Sequence, residues 1–274
     1  MKKTVSILFL LLMMLLSGCG RRTPAENSLQ VYFFGAGKAD AILLTTNDGA
    51  VLIDAGEKGF GKEIVSYLQE QDIDALDYLI LTHFDKDHVG GAAKVLREIP
   101  VKNVLQSNFV KDSSEYDQYA AALASGGIEP VTLREVFEFT LGGVSFSVDP
   151  PAREEYDEDP SNNSSLIISV RAGDCGLLFP GDAEKDRLKE WMDGHSESYR
   201  LVKLPHHGAW SKSLSRFFSL TGAHYAVITS SDAEPEDPRT VAFLEERSIE
   251  TYYTRVAPVI LIWDGSKLTV QYDH

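Results

Sequence analysis

Apolar and polar positions alternate from Leu29 to Phe34, which predicts a strand. Ala41 to Thr46 and Ala50 to Asp54 flank Asn47-Asp48-Gly49, residues that tolerate the positive φ of a tight hairpin turn. Past Gly59 the period changes. Ile64, Val65 and Leu68 fall on one helical face, and that helix ends before Leu76. Asp77 to Leu81 is a short apolar strand running straight into Thr82-His83. A helix from about Gly90 to Glu98 stops at Pro100, whose missing N–H cannot continue it. Further strands are predicted at 102–105, 131–133, 144–148, 166–170 and 176–179. Helices follow at 184–193, 212–220 and 238–247, interleaved with strands at 200–204, 224–229, 250–253, 259–263 and 267–272. Arg153 to Pro160 carries five acidic residues and reads as an exposed loop. The alternation runs to the C-terminus without a linker-like break. It predicts one α/β domain over residues 29–274, with sheets inside and helices outside.

The first residues stand apart from this pattern. Lys2 and Lys3 precede an apolar run from Val5 to Leu16, which leads into Leu16-Ser17-Gly18-Cys19. A basic, then apolar, then small-residue order predicts a secretory signal over residues 1–18. The run is too short to span a bilayer comfortably. Leu-Ser-Gly-Cys resembles the lipobox of bacterial lipoproteins, which implies lipidation of Cys19, an extracytoplasmic location and a membrane anchor. Residues 19–28 would then be a polar tether. The only other cysteine, Cys175, lies in the apparent turn Ala172-Gly173-Asp174-Cys175-Gly176 and reads as a passive thiol.

Charge narrows the function. The formal net charge is −15 and becomes −17 once Lys2 and Lys3 leave with residues 1–18. Such a body repels polyanions at long range, which argues against a general nucleic-acid-binding surface. A phosphate-bearing substrate would need its positive charge from the site itself, and divalent cations would supply it.

Candidate ligands for such cations are present. His83, Asp85, Asp87 and His88 lie within six residues at a strand-to-helix junction, ahead of Gly90-Gly91. Imidazole and carboxylate suit zinc-like ions, and carboxylates also suit harder ions such as manganese. Leu177 to Phe179 leads through Pro180-Gly181 to Asp182, and Leu201 to Leu204 leads through Pro205 to His206-His207. An Asp just past a strand can bridge two ions. Strand ends carrying His or Asp at three separate places predict a common edge where they meet. Taken alone, Asp182 is equally well an N-cap, and the His pair a piece of polar surface.

These segments resemble the metallo-β-lactamase superfamily. Within it they are closer to the hydrolase domain of the DNA-internalisation competence protein ComEC and its stand-alone relatives. The resemblance covers about residues 29–270. It rests on Gly37-Lys38-Ala39-Asp40-Ala41, Leu52-Ile53-Asp54-Ala55-Gly56, His83 to Gly91, Asn162-Asn163-Ser164-Ser165-Leu166, Gly181-Asp182 and Leu204-Pro205-His206-His207-Gly208. It implies a four-layer αββα sandwich with two divalent ions, Zn or Mn, at one sheet edge. His83 and Asp85 would ligate the first ion, Asp87 and His88 the second, Asp182 would bridge and His207 would complete the second position. His206 would face substrate, and Asp87 and His206 would be the catalytic residues. Asp40, Asp54, Asn163 and Lys38 would orient ligands or line the substrate side.

Some positions depart from the family. Asp85 stands where the superfamily's second His usually lies, and the usual third-cluster His is absent, with Asn163 nearby. Ala209 replaces a Ser that usually follows His-His-Gly, and Asp237 replaces a His of an Asn-x-Tyr-x-His-Pro stretch. A bridged pair of ions lowers the pKa of a shared water toward about 7 and clamps a phosphoryl group. The expected activity is therefore hydrolysis of a phosphodiester or phosphomonoester in a small molecule, an envelope component or nucleic acid. No protein partner is implied. The rival expectations are a surface binding protein on a degenerate site, or a lactamase or thioesterase of the same fold.

Overall fold

The computed structural model of the protein describes residues 27–273. The expected signal segment, Cys19 and most of the tether lie outside the described residues. β1 (Leu29–Phe33), β2 (Ile42–Thr46) and β3 (Ala50–Ile53) form an antiparallel meander. Thr45 lies opposite Ala50, so Asn47-Asp48-Gly49 makes the expected hairpin. β4 (Leu76–Leu81), β5 (Val101–Gln106) and β6 (Val131–Thr132) then join in parallel. The crossovers to them are α1 (Gly61–Glu70), the pair α2 (Lys86–Val89) and α3 (Ala92–Glu98), and α4 (Ser114–Gly126).

The second sheet repeats this plan. β7 (Phe137–Leu141), β8 (Val144–Asp149), β9 (Ile167–Ala172) and β10 (Cys175–Phe179) are antiparallel. The short α5 (Pro160–Asn163) lies between β8 and β9. β11 (Leu201–Lys203), β12 (Tyr225–Ile228) and β13 (Glu250–Tyr253) continue in parallel, reached through α6 (Lys185–Gly194), α7 (Leu214–Thr221) and α8 (Pro238–Glu246). β14 (Val259–Trp263) and β15 (Leu268–Tyr272) return to the first sheet beside β1. The orders are β15-β14-β1-β2-β3-β4-β5-β6 and β13-β12-β11-β10-β9-β8-β7.

Three apolar clusters make this a four-layer αββα sandwich. Val31, Phe33, Ile42 and Ile53 of the first sheet meet Phe146, Ile168, Leu177 and Phe179 of the second. Ile64, Val65 and Leu68 of α1 pack with α3 and α4 on the outer face of the first sheet, and Leu188, Trp191, Phe217 and Leu244 cover the second. Each such side chain, fully buried, contributes about 1.5–3 kcal/mol. The layers therefore hold the strand ends rigidly.

The structure adds α4, β7 and the short α5 to the elements expected and redraws one helix. α4 is capped by Ser113, whose Oγ accepts from Tyr116 N at 3.2 Å, and it ends at left-handed Gly127. β7 is an edge strand. The helix expected from Gly90 instead begins at Lys86, inside the ligand motif, and is broken at Gly90-Gly91. Cys175 opens β10 and is buried, which pushes its thiol up to about 11. Among the described residues no helix is long and apolar enough to cross a membrane.

Candidate metal centre

The carboxyl ends of β3, β4, β10, β11 and β12 point to one edge where the two sheets meet, the place where open α/β sheets bind ligands. Asp54 follows β3, His83 follows β4, Asp182 follows β10, His206-His207 follow β11 and Thr229 follows β12. Backbone bonds stitch the ends together. Leu166 N donates to Thr82 O at 2.9 Å, Ala55 N to His88 O at 2.8 Å and His206 N to Gly181 O at 3.2 Å.

The local backbone is forced at two places. A Cβ on Gly91 would sit 2.1 Å from Ala55 O, so only glycine lets the start of α3 lie against the β3 loop. After β11, His206, His207 and Gly208 all have positive φ, at 46°, 51° and 78°. Two consecutive non-glycine residues in that region each cost about 1–3 kcal/mol, and such strain collects at functional sites. Here it turns His207 inward and leaves His206 half-buried at the surface.

Four ligand atoms, one each from Asp87, His88, Asp182 and His207, lie within 4.8 Å of one another. Asp182 Oδ2 is 3.3 Å from His88 Nε2 and 3.2 Å from His207 Nε2, and Asp87 Oδ2 is 3.3 Å from His207 Nε2. The His83 and His88 rings have centroids 4.1 Å apart, and His83 Nε2 is 4.0 Å from Asp85 Oδ1. Asp182 thus stands next to both histidine rings of the compact group. Asp85 and His83 fall outside that compact group.

Each histidine is fixed through the same nitrogen. His88 Nδ1 lies 2.8 Å from Asp54 Oδ2, and Asp54 accepts from Thr82 N at 2.8 Å and Thr82 Oγ1 at 2.7 Å. His207 Nδ1 lies 2.9 Å from Thr229 Oγ1, which donates to Asp40 Oδ1 at 2.7 Å. His83 Nδ1 contacts Thr82 Oγ1 at 3.1 Å and Ser165 Oγ at 3.4 Å. The Nε2 atoms of His83, His88 and His207 are buried and have no hydrogen-bond partner. Leaving a buried polar atom unpaired costs about 1–3 kcal/mol. Three such atoms beside two carboxylates suit a divalent ion, with the orienting partners metal-bound histidines require. The residues fit the group.

Lys203, which sequence reasoning passed over, closes the electrostatics. It is fully buried at the end of β11 and its ammonium contacts Asp40 Oδ2, Asp182 Oδ1 at 3.3 Å and Gly181 O at 3.0 Å. Burial alone would lower its pKa, but Asp40 and Asp182 raise it above the ordinary lysine value. Burial likewise disfavours charge on Asp182, yet His207, His88 and Lys203 hold its carboxyl well below the usual range. Burial and the neighbouring His88 push His83 down to about 3, so this ring stays neutral and its Nε2 lone pair is free to ligate. One signal pointed to Lys203, a charged residue inside the otherwise apolar run Leu201-Val202-Lys203-Leu204.

The remaining expected residues lie around the rim or behind it. His206 Nδ1 is 2.9 Å from Glu184 Oε1 at a cavity of about 220 Å³ that Ala209 also lines. Lys38 Nζ is 4.0 Å from Glu234 Oε1. Both ends of the Asn163 amide serve the backbone, with Oδ1 accepting from Arg187 N at 3.1 Å and Nδ2 donating to Glu158 O at 2.8 Å. It pins the loop that carries Ser165 and Ser161. Asp237 caps α8, accepting from Arg239 N at 2.8 Å.

The metallo-beta-lactamase superfamily model matches residues 34–229, a stretch containing every one of these candidate ligands. The chain belongs to the metallo-β-lactamase superfamily. ComE operon protein 3 of Bacillus subtilis is 30% identical over 172 residues, covering 62% of this chain and 22% of that protein. Competence protein ComA of Neisseria gonorrhoeae is 28% identical over 209 residues, covering 75% of this chain and 27% of that protein. The chain thus spans about a quarter of the length of these relatives. Among solved structures, the metallo-β-lactamase fold protein YhfI of Bacillus subtilis superposes with a TM-score of 0.57 at 11% identity, covering 89% of this chain and all of that one. The diiron β-hydroxylase CmlA of Streptomyces venezuelae does so at 0.53 and 12%, covering 86% and 54%. These superpositions establish the αββα metallo-β-lactamase fold, and superfamily membership supports a metal-dependent hydrolase.

Proposed function

We propose that this chain is an extracytoplasmic, membrane-anchored hydrolase of phosphoester bonds, most closely a phosphodiesterase, that works with two divalent ions, Zn or Mn. The observation that carries the reading is the convergence of Asp87, His88, Asp182 and His207 with three buried, unpartnered Nε2 atoms. Ions held there supply Lewis acidity and an activated water. The protein does the rest. Asp54 and the Thr229–Asp40 pair hold the rings, Lys203 keeps Asp182 and Asp40 ionised, and the strained His-His-Gly turn presents His206 at the rim with Glu184 bonded to its Nδ1.

Two features favour phosphoesters over a lactam. Asp85 makes the first position richer in oxygen than a three-histidine zinc site, and a body of charge −17 requires the centre itself to attract an anion. Two features favour a diester. Cavities of about 370 Å³ beside Asp85 and about 220 Å³ beside His206 flank the Asn162–Glu184 contact, giving room for two substituents. One similar protein, ComA of Neisseria gonorrhoeae, is named a competence protein, in keeping with nucleic acid, a phosphodiester, as a candidate substrate. Candidate substrates are nucleic acid, a small phosphorylated molecule or a phosphorylated envelope component. The signal and lipobox pattern supports the location.

The test is a screen of the purified protein against bis-p-nitrophenyl phosphate, p-nitrophenyl phosphorylcholine and nitrocefin with added Mn²⁺ or Zn²⁺. Metal-dependent release from a phosphoester, with nitrocefin untouched, is the expected result. Turnover of nitrocefin alone contradicts it.

A further inference from the structure

The two halves of the centre are unequal. Asp87, His88, Asp182 and His207 bring four ligand atoms within 4.8 Å, whereas the other position has His83 and Asp85, 4.0 Å apart. The Asp85 oxygen nearer His83 in this arrangement, Oδ1, is already engaged. Lys111 Nζ donates to Asp85 Oδ1 at 2.7 Å, and Ser161 Oγ donates to the same oxygen. No third donor comes from Asn163, whose amide is bound to Arg187 N and Glu158 O. A cation placed between His83 and Asp85 would face an ammonium at contact distance from its own carboxylate ligand, a repulsion that partial burial strengthens. Lys111 has somewhere else to go. It is 40% exposed and lines the cavity of about 370 Å³ with Phe109, Val110 and Asp112.

We propose that Lys111 is a positioning residue that holds Asp85 in reserve, so that the ions load in order. The Asp87–His88–Asp182–His207 position fills first and tightly. The His83–Asp85 position fills only as Lys111 leaves Asp85 for the cavity. This inference rests on the metal-hydrolase reading. It makes the loaded state of the centre depend on a lysine lining the cavity beside Asp85, where an anionic substrate is the natural partner for the released ammonium.

The test is calorimetric titration of chelator-treated protein with Zn²⁺ and with Mn²⁺, with bound ions per chain counted by mass spectrometry. The wild type should take one ion tightly and a second more weakly. Lys111→Met should tighten the second ion by up to about fivefold, the upper worth of a partly exposed ion pair, and leave the first unchanged. Lys111→Arg should behave as wild type, and Asp85→Asn should keep the first ion and lose the second. Two equal ions in the wild type, or a second ion unaffected by Lys111→Met, overturns the ordered loading and leaves the hydrolase reading intact. A wild-type chain that binds no ion overturns both.

Discussion

His88 and Asp54 are fully buried partners, with Nδ1 of one 2.8 Å from Oδ2 of the other. Asp54 sits in a left-handed conformation at φ 55°, strained for a residue with a side chain, and spends its second oxygen on Thr82 N. The strain and the bonds serve one end, fixing His88 so that its Nε2 faces Asp87 and Asp182. Asp54→Ala frees the ring. Losses of such orienting partners cost about 10–100-fold in metal affinity. Competition against a chromophoric chelator should show a drop in that range, and an unchanged affinity would mean that Asp54 serves only the backbone.

Among the described residues, Lys203 alone sets its ammonium against both Asp40 and Asp182. Lys203→Met leaves two buried carboxylates without it, and breaking a buried pair in this way costs about 3–5 kcal/mol. Bound divalent ions replace much of the missing charge. Urea unfolding should therefore show a large loss of stability without metal and a smaller one with it. Equal losses in both conditions would remove Lys203 from the electrostatics of the centre.

Much of this centre is legible in the sequence because its ligands come from strand ends. Apolar runs ending in His83, Asp182 and His207 announce both the strands and the edge they share. The groups that hold the ligands are harder to see. Thr229, Ser165 and Thr82 are ordinary hydroxyls until folding sets them beside an imidazole, and Lys203 looks like a solvated strand residue until both sheet faces are known to be covered. α4 escapes a periodicity reading because its buried face is Tyr119, Ala122 and Leu123, a faint apolar stripe, although its Ser113 cap and Gly127 stop were readable. β7 does alternate, with Phe137, Phe139 and Leu141 half-buried, and the pattern was simply short. Asn163 shows the converse, since a motif position that looks like a ligand's neighbour is a loop pin.

The centre also makes a pH prediction. Burial lowers the His88 and His207 pKa values, but Asp182 and the other carboxylates more than offset it, so both end above 6.5 in the metal-free protein. Such groups bind more protons folded than unfolded. Their stabilisation is complete below 6.5 and is lost as pH rises through the raised values. His83, pushed down to about 3, works the other way, because its unfolded ring still sheds its proton just above pH 6.5, but that small gain ends well before pH 9 and comes from one ring against two. Metal-free protein should lose stability from about pH 6.5 upward, while metal affinity rises because ions need the neutral rings. Thermal melts at pH 6.5 and 9, with chelator and with metal, should diverge in that sense. A metal-free protein that gains stability over this range would contradict the assignment.

Gly208 tests the strained turn. Its φ is 78°, and an added Cβ would lie 3.0 Å from Ile228 Cγ2. Gly208→Ala should cost about 1–3 kcal/mol and weaken metal binding by displacing His207. Wild-type stability and metal affinity in that variant would show that the turn is not under constraint.

The central claim is that the His–Asp cluster is a metal centre joined by Asp182. Metal content per chain, measured by mass spectrometry for wild type, His83→Ala and Asp182→Ala after identical loading and buffer exchange, tests it most directly. Wild type should retain bound divalent ion, His83→Ala should keep the ion of the Asp87–His88–His207 position, and Asp182→Ala should lose both, with folding confirmed by circular dichroism. A folded Asp182→Ala protein holding as much metal as wild type, or a wild type holding none, would contradict the account.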